Sequence, residues 1–183
     1  YDSVINGLVD IAVLTPLSEE HNFVNLEPLD KEEIVLAVPA DHPKAYLAGG
    51  SGMGTISLDE LSLFKDDNWM LTNRDSMLRN LTDEIFEAAG VFPEKILLET
   101  SSTNPHISAI EEGITVSLVP MPRRLKELNL VIFKLQPKQY RRLYAAYRKS
   151  YLLSNSQRYF INLMAEFYSS AAGEVLPQHR SGW

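Results

Sequence analysis

Strands and helices are predicted to alternate through the middle of the chain. The first helix of this region carries hydrophobic residues at helical spacing and stops at Gly90, and the second is opened by Asn104 and Pro105 and closed by Gly113. The short apolar runs that flank these helices are predicted strands, at residues 68–71, 95–100 and 115–119. Because this alternation is typical of parallel sheets, the pattern predicts an α/β protein with parallel strands.

The flanking regions are predicted to add strands and a closing helix. The residues before Gly7 form the end of a helix, and a Ser-Asn-Ser-Gln capping box starts the closing helix at Ser154. Further strands are predicted at residues 10–14, 23–29, 33–39, 130–135 and 143–148, and the first of these is expected to be buried on both faces. The buried stripe of the closing helix is predicted to contain Phe160, Met164, Phe167 and Tyr168.

Other segments are predicted to lie outside the sheet. Lys44–Thr55 contains four glycines, but no lysine-serine pair follows it as in a nucleotide-binding loop, so we predict a flexible surface insertion. A short capped helix is predicted at residues 57–64 and a mobile tail at residues 169–183. Because the chain begins with Tyr1 inside a helix-like pattern, we expect a fragment or a processed product.

Two predicted turns bring polar side chains to the starts of helices. The first turn consists of Thr72, Asn73 and Arg74. Asn73 or Asp75 is predicted to cap the helix that follows it. The second turn runs from Thr100 through Ser101, Ser102 and Thr103, just ahead of His106. Backbone N–H groups and the helix dipole favour an anion at such a place, and hydroxyls would orient it.

Each of these polar residues also has an ordinary structural interpretation. Both turns fit simple capped connections between a strand and a helix, in which the serines and threonines act only as caps. Arg74 either makes a bidentate contact with a carboxylate or faces solvent. His106 either contacts a ligand or is a surface or packing histidine.

The composition fits a folded chain of one domain or two small lobes. Its 183 residues are 45% hydrophobic and 22% charged. The absence of cysteine excludes disulfides, thiolate nucleophiles and cysteine metal sites, and it fits an intracellular protein. The four histidines do not fall at ligand spacing, so we expect neither a metal nor a cofactor. No apolar run approaches the length of a membrane span, so we expect a soluble chain.

The charge is unevenly distributed. The formal net charge is -7, but residues 1–120 carry 6 basic and 21 acidic residues, whereas residues 121–183 carry 11 and 3. An acidic chain is not expected to hold a nucleic-acid backbone itself. The basic stretch from Arg123 to Lys149 either contacts an acidic partner or DNA, or it consists of charged strand-edge residues partly neutralised by the acidic half, which is the interpretation we favour.

Five segments occur in an order that resembles the effector-binding domain of LysR-type transcriptional regulators. They are residues 5–13, residues 26–29 with 32–39, residues 42–43, residues 89–93 and residues 112–120. Arg148-Lys149 and Leu152-Leu153-Ser154 also resemble this family's closing segment, and the match runs from about Tyr1 to Phe167. Two features depart from the family pattern: Thr115 stands where glycine is common, and the glycine-rich loop near Gly50 is longer than usual.

The resemblance implies two Rossmann-like lobes of the periplasmic-binding-protein type (type 2), joined by two crossover segments. Residues 1–38 plus 139–183 would form lobe one and residues 39–138 lobe two, with the first strand and helix of lobe one absent. It also implies a bacterial, cytoplasmic regulator that is not an enzyme and makes no membrane contact. DNA binding would use a winged helix-turn-helix outside this chain, and the full-length protein would form dimers and tetramers.

The resemblance and the turn chemistry together predict a small anionic effector in the cleft between the lobes. Ligands in open α/β sheets bind beyond the carboxyl ends of strands, and differential affinity for two states would transmit the signal to the DNA-binding modules. The predicted effector-binding residues are Thr15, Pro16, Thr72, Asn73, Arg74, Ser101, Ser102, Thr103, His106, Pro120 and Met121.

Three other functions remain open at this stage. A free-standing periplasmic solute-binding protein would use the same cleft and would be distinguished by a signal peptide upstream. An enzyme with Ser101 or Ser102 as nucleophile and His106 as base has no evident third group to orient the base. A purely structural interaction domain would leave the polar residues at the helix starts unexplained.

Overall fold

The computed structural model describes residues 1–16 and 21–169, and these residues form four α-helices and seven strands. The helices are α1 (Asp2–Ile5), α2 (Met77–Ala89), α3 (Asn104–Glu111) and α4 (Asn155–Ser169). The strands are β1 (Ile11–Leu14), β2 (Val24–Pro39), β3 (Met53–Ser57), β4 (Asn68–Thr72), β5 (Lys95–Thr100), β6 (Ser117–Pro120) and β7 (Leu130–Arg148). Within the described part of the chain, no helix is long and apolar enough to cross a bilayer.

The chain divides into two compact units. Unit 1 consists of Tyr1–Lys31 and Arg142–Trp183, and unit 2 consists of Glu32–Arg141. The lobe boundaries implied by the family resemblance lie at residues 38/39 and 138/139. Because β2 and β7 run through the two boundaries, the two connections between the units are continuous extended strands.

The larger sheet has the strand order β1-β7-β2-β6, with β3 alongside β7. β1 and β7 are antiparallel, as are β2 and β6, whereas β3 is parallel to β7. β4 and β5 form a second, parallel sheet, and Trp69 makes a bridge to Val116 just before β6. The α/β class is confirmed, but the strands are not all parallel, because a helical crossover requires parallel pairing only between the strands that it connects, here β4 and β5.

Each of the two long strands was predicted as two shorter ones. Pro28 and Lys31 are exposed in β2, and Pro137 and Lys138 are exposed in β7. Proline and charged residues suggest a strand break in a sequence, but an exposed position does not require a ladder hydrogen bond or an apolar side chain. The chain therefore stays extended through both polar stretches.

The core of unit 2 is built around aromatic rings. Trp69 is 1% exposed, and its ring packs edge to face on Phe86 with a centroid separation of 5.1 Å. The indole Nε1–H donates to the Phe64 carbonyl at 2.8 Å, and the Phe64 ring lies 5.7 Å from that of Phe133. Trp69 therefore joins β4 both to α2 and to the 3₁₀ turn Asp59–Phe64, which stands where a short capped helix was predicted.

The glycine-rich segment is only partly a surface turn: residues 49–51 are exposed, but Ala48 enters this core, which corrects the predicted flexible insertion in part. It contains the 3₁₀ turn Ala45–Ala48 and most of β3, which pairs with β7. Gly54 lies in β3 and packs against Ala48 and against Phe133 of β7. A Cβ at this position would be 3.0 Å from both the Ala48 Cα and the Phe133 Cδ1. Glycine is needed at this position because β3 approaches Phe133 closely. The sequence analysis took this glycine as a sign of flexibility.

Gly54→Ala is expected to lower the free energy of unfolding by about 1–2 kcal/mol, because overpacking outweighs the reduced entropy of the unfolded chain. Urea denaturation followed by far-UV circular dichroism measures the change. Thr55→Ala, at the exposed next position, is the matched control and should change stability by no more than about 0.5 kcal/mol. Equal midpoints for wild type and Gly54→Ala would contradict the close packing.

The helix caps agree only in part with the predictions. In α4, the Gln157 side chain accepts from the Ser154 N–H at 2.9 Å and from its hydroxyl at 3.0 Å, so the capping box is confirmed. In α2, the cap is Ser76, whose hydroxyl oxygen accepts from Leu78 N–H, and not Asn73 or Asp75. The Asn73 carbonyl instead accepts from the Ser76 N–H at 2.9 Å, because a further turn separates β4 from the helix.

Two predicted burial patterns are also wrong in detail. Met164 and Tyr168 of the predicted stripe pack against the core of unit 1 beside the buried Ile161, whereas Phe160 and Phe167 are 47% and 40% exposed. The predicted stripe is therefore right for two of its four residues. β1 is only partly buried, with Val13 39% exposed, and the predicted tail at residues 169–183 lies outside the residues whose structure is described, apart from the end of α4.

Three basic residues around β7 contact the acidic part of β2, in agreement with the partial neutralisation favoured from the sequence. In unit 2, Arg141 Nε donates to Glu32 at 2.9 Å, and Arg123 lies 3.9 Å from the same carboxylate. Lys138 Nζ lies 3.5 Å from Glu33.

β5 is unusual in being exposed along almost its whole length. Ile96, Leu97 and Leu98 are 44%, 49% and 50% exposed. Among the described residues, this strand pairs only with β4, so one of its edges is open.

Candidate functional site

The two predicted turns start side by side in unit 2. Thr72 at the end of β4 is paired with Thr100 at the end of β5, and the Asn73 N–H donates to the Thr100 carbonyl at 2.8 Å. The parallel order of β4 and β5 places both carboxyl ends at one edge of this sheet. The sequence-predicted residues 72–74 and 101–103 are therefore neighbouring segments.

The hydroxyl of Thr72 is buried and lacks a partner. The residue is 4% exposed, and its Oγ1 makes no hydrogen bond to any residue that the structure describes. A buried hydroxyl without a partner is unfavourable, and a ligand atom that bonded it would offset that cost. Thr72 is the predicted site residue whose geometry most directly suggests a ligand.

Arg79 of α2 forms a hydrogen bond with the backbone of the first turn. This arginine is 5% exposed, and its Nη1 donates to the Thr72 carbonyl at 3.0 Å and to Glu99 at 2.6 Å. Its Nε donates to both oxygens of Asp83, at 2.9 and 3.1 Å. The hydrogen bond from Arg79 lowers the pKa of the Glu99 carboxyl, and the charge of nearby Arg74 acts in the same direction. Arg74 itself is exposed.

The second turn is connected to the core through His106. This histidine is 1% exposed, its Nε2 lies 3.1 Å from Thr100 Oγ1, and its Nδ1 lies 2.7 Å from Ser117 Oγ. The Ser117 hydroxyl contacts the Met70 carbonyl at 2.7 Å, and the Thr100 hydroxyl contacts the Ser102 carbonyl at 2.7 Å. Burial lowers the pKa of His106 to about 4, so the ring is neutral at pH 7. His106 has the position of a packing residue beneath the turn.

The structure does not form the catalytic pair considered from the sequence. Both ring nitrogens of His106 are engaged by Thr100 and Ser117, whereas Ser101 and Ser102 are exposed residues of the turn. A ring whose pKa is about 4 is also a weak base at neutral pH.

The other predicted residues belong to other elements. Pro120 ends β6, and the Met121 N–H donates to the Glu33 carbonyl at 2.8 Å, both in unit 2. Thr15 and Pro16 follow β1 in unit 1 and are partly buried. Sequence analysis did not select Arg79 or Ser117, which support the two turns. The one feature of the sequence that could have pointed to Arg79 is the position of an arginine in the first turn of a helix.

Comparison with known proteins identifies the family. A family model described as the LysR substrate binding domain matches residues 1–169. The chain belongs to this LysR family. As a LysR substrate-binding domain it is a ligand-sensing regulatory domain, and a free-standing periplasmic solute-binding protein is not favoured.

Similar proteins agree with this assignment. The LysR-type domain is 26% identical over 132 residues to the "Probable RuBisCO transcriptional regulator" of Cyanidioschyzon merolae, covering 70% of this chain and 41% of that protein. The chain thus spans less than half of that curated relative.

Solved structures show the same fold. The effector-binding domain of QuiR in complex with shikimate has a TM-score of 0.71 and 22% identity, covering 92% of this chain and 76% of that one. The Synechocystis PCC6803 CcmR regulatory domain in complex with 2-PG has a TM-score of 0.69 and 20% identity, covering 91% and 76%. The BenM effector-binding domain with its effector benzoate has a TM-score of 0.65 and 20% identity, covering 100% and 79%.

Proposed function

We propose that this domain senses a small organic anion and that the turns after β4 and β5 contact it. The buried, unpartnered Thr72 hydroxyl beside two polar turns carries this proposal. Arg74 supplies a positive charge in the first turn, and its side chain is exposed and so accessible to a ligand.

The contacts of the polar residues support a binding role over simple capping. Ser76 caps α2, so Thr72, Asn73 and Arg74 are not needed for that purpose. Thr103 makes no side-chain cap hydrogen bond to α3. Pro105 has no N–H, and the His106 and Ile107 N–H groups donate to the Thr103 carbonyl. The Asn104 N–H and the Thr103 hydroxyl are therefore the groups at the start of α3 that are suited to an anion.

Relatives bind ligands of the proposed class. The QuiR, CcmR and BenM domains form complexes with shikimate, 2-PG and benzoate, respectively. For this chain we propose a carboxylate or a phosphate ester. Thr15, Pro16, Pro120 and Met121 remain predicted contacts, and His106 is reassigned to the support of the second turn.

The remaining proposals concern the whole protein. We propose that it is a cytoplasmic, non-enzymatic bacterial transcription regulator whose DNA-binding module lies outside this chain, and that it acts as a dimer or tetramer. An effector that binds one state about a hundredfold better would supply roughly 2.7 kcal/mol to shift that state's population.

Thr72→Val is expected to weaken anion binding roughly ten- to a hundredfold while leaving the unliganded domain at least as stable as before, because the buried hydroxyl that it removes has no partner among the described residues. The substitution removes the hydroxyl without leaving a cavity, and a hydrogen bond to a charged group contributes about 1.5–3 kcal/mol. Calorimetry with shikimate, 2-PG and benzoate measures affinity, and thermal unfolding measures stability. Benzylamine, which has the opposite charge to benzoate, tests the preference for an anion.

Thr115→Val is the matched control. Thr115 is also buried, at 3% exposure, and its Oγ1 also lacks a partner among the described residues. It precedes Val116, which bridges to Trp69, so it lies toward the other end of β4. Equal losses of affinity in both variants, or tighter binding of benzylamine than of the anions, would refute the proposed site.

A further inference from the structure

A continuous series of hydrogen bonds connects the core of unit 2 to the second turn. It runs from the Met70 carbonyl through Ser117 Oγ, the His106 ring and Thr100 Oγ1 to the Ser102 carbonyl. Met70 is 3% exposed, whereas Ser102 is exposed. The series therefore begins at a buried strand and ends at the surface of the candidate site.

Four contacts in this series compete for three protons. Each hydroxyl has one proton, and a neutral imidazole has one N–H. Each of the four contacts needs a proton between its two heavy atoms, so one contact is left without a hydrogen bond. The ring tautomer decides which contact that is.

The two neutral tautomers place the missing hydrogen bond at different ends of the series. With the proton on Nδ1, the ring donates to Ser117, Ser117 donates to Met70, and the Thr100 hydroxyl turns to Nε2, which leaves the Ser102 carbonyl free. With the proton on Nε2, the single Ser117 proton has to serve both Nδ1 and the Met70 carbonyl, so one of these two buried acceptors is left without it. Water reaches an exposed carbonyl but not a buried acceptor, so the Nε2–H form is more costly.

We propose that His106 is a positioning residue whose ring proton lies on Nδ1, and that its ring couples Ser117 of β6 to the backbone of the turn at Thr100–Ser102. The relevance of this coupling to effector binding rests on the proposed function, because the turn contacts an effector only if that function is correct. The coupling itself is a property of the unliganded domain.

Nuclear magnetic resonance of the domain with ¹⁵N-labelled histidine at pH 7 tests the proposal, because the ring nitrogen shifts distinguish the tautomers. The wild type is expected to favour the Nδ1–H form by at least about tenfold. In Ser117→Ala the acceptor for Nδ1–H is gone, so the proton is expected to move to Nε2 and the Thr100 hydroxyl to Ser102. Thr100→Val removes the hydroxyl that contacts Nε2 and the Ser102 carbonyl but leaves Ser117 in place, so it should keep the Nδ1–H form.

A second readout separates coupling from simple packing. Ser117→Ala is expected to shift the backbone amide signals of residues 102–103, although Ser117 lies in another element, and far-UV circular dichroism verifies that both variants fold. An Nε2–H or doubly protonated ring in the wild type, or an unchanged tautomer in Ser117→Ala, would overturn the proposal. No ligand is present, so failure of anion binding does not affect this result, and a wrong tautomer would leave the Thr72 experiment valid.

Discussion

Trp69→Ala is expected to lower the free energy of unfolding by about 3–5 kcal/mol. The substitution removes an aromatic side chain that is 1% exposed, opens a cavity against Phe86 and leaves the Phe64 carbonyl without its indole donor. A typical domain is stable by about 5–15 kcal/mol, so this loss is a large fraction of the total. Urea denaturation at 25 °C, followed by far-UV circular dichroism, measures it.

Two companion variants separate the contributions of Trp69. Trp69→Phe keeps most of the ring but loses the N–H, and it should cost less than the alanine variant. Phe92→Ala removes an aromatic ring that is 63% exposed and should change stability by no more than about 0.5 kcal/mol. A similar midpoint for Trp69→Ala and Phe92→Ala would mean that Trp69 does not hold the core of unit 2.

Arg79→Leu is expected to lower stability by about 1–3 kcal/mol at pH 7, chiefly because the buried Thr72 carbonyl loses a charged donor. Part of this difference should disappear in acid. The hydrogen bond from Arg79 lowers the pKa of Glu99 in the folded state, so that interaction is fully stabilising above the unfolded pKa of about 4.3 and is lost as the pH falls through the lower folded value. Urea denaturation at pH 7 and pH 3 should therefore show a smaller gap at pH 3.

Arg124→Leu provides the control for this change in charge. The Arg124 side chain is 80% exposed, and its contact with Glu127 is 3.8 Å long. An exposed ion pair contributes about 0–1 kcal/mol, so this variant should stay close to the wild type at both pH values. If the gap for Arg79→Leu widened in acid, the assigned interaction with Glu99 would be wrong.

The local features of the site could be predicted because they depend on short segments of sequence. Thr72 and Thr100 end strands that a single helical crossover connects, and this arrangement places parallel strand ends together. The supporting contacts could not be predicted in the same way. Arg79 contacts Glu99 20 residues away and Ser117 contacts Met70 47 residues away, and no local pattern encodes such pairings.

The main errors in the fold came from residue types whose usual meaning depends on burial. Lys31 and Pro137 fell in the gaps between shorter predicted strands, yet both lie at exposed positions within long strands. Gly54 was assigned to a flexible loop, although it is the residue that lets β3 approach Phe133. Burial is a property of the folded chain, so these positions could be interpreted only after the neighbouring strands were known.

The open edge of β5 has a practical consequence for experiments on the separate domain. Three large aliphatic side chains lie on a strand whose outer edge pairs with no other strand in the described part of the chain. Such an edge offers a template for pairing with another polypeptide, and self-association through it would compete with ligand in a titration. Affinities should therefore be measured at several protein concentrations and extrapolated to the dilute limit.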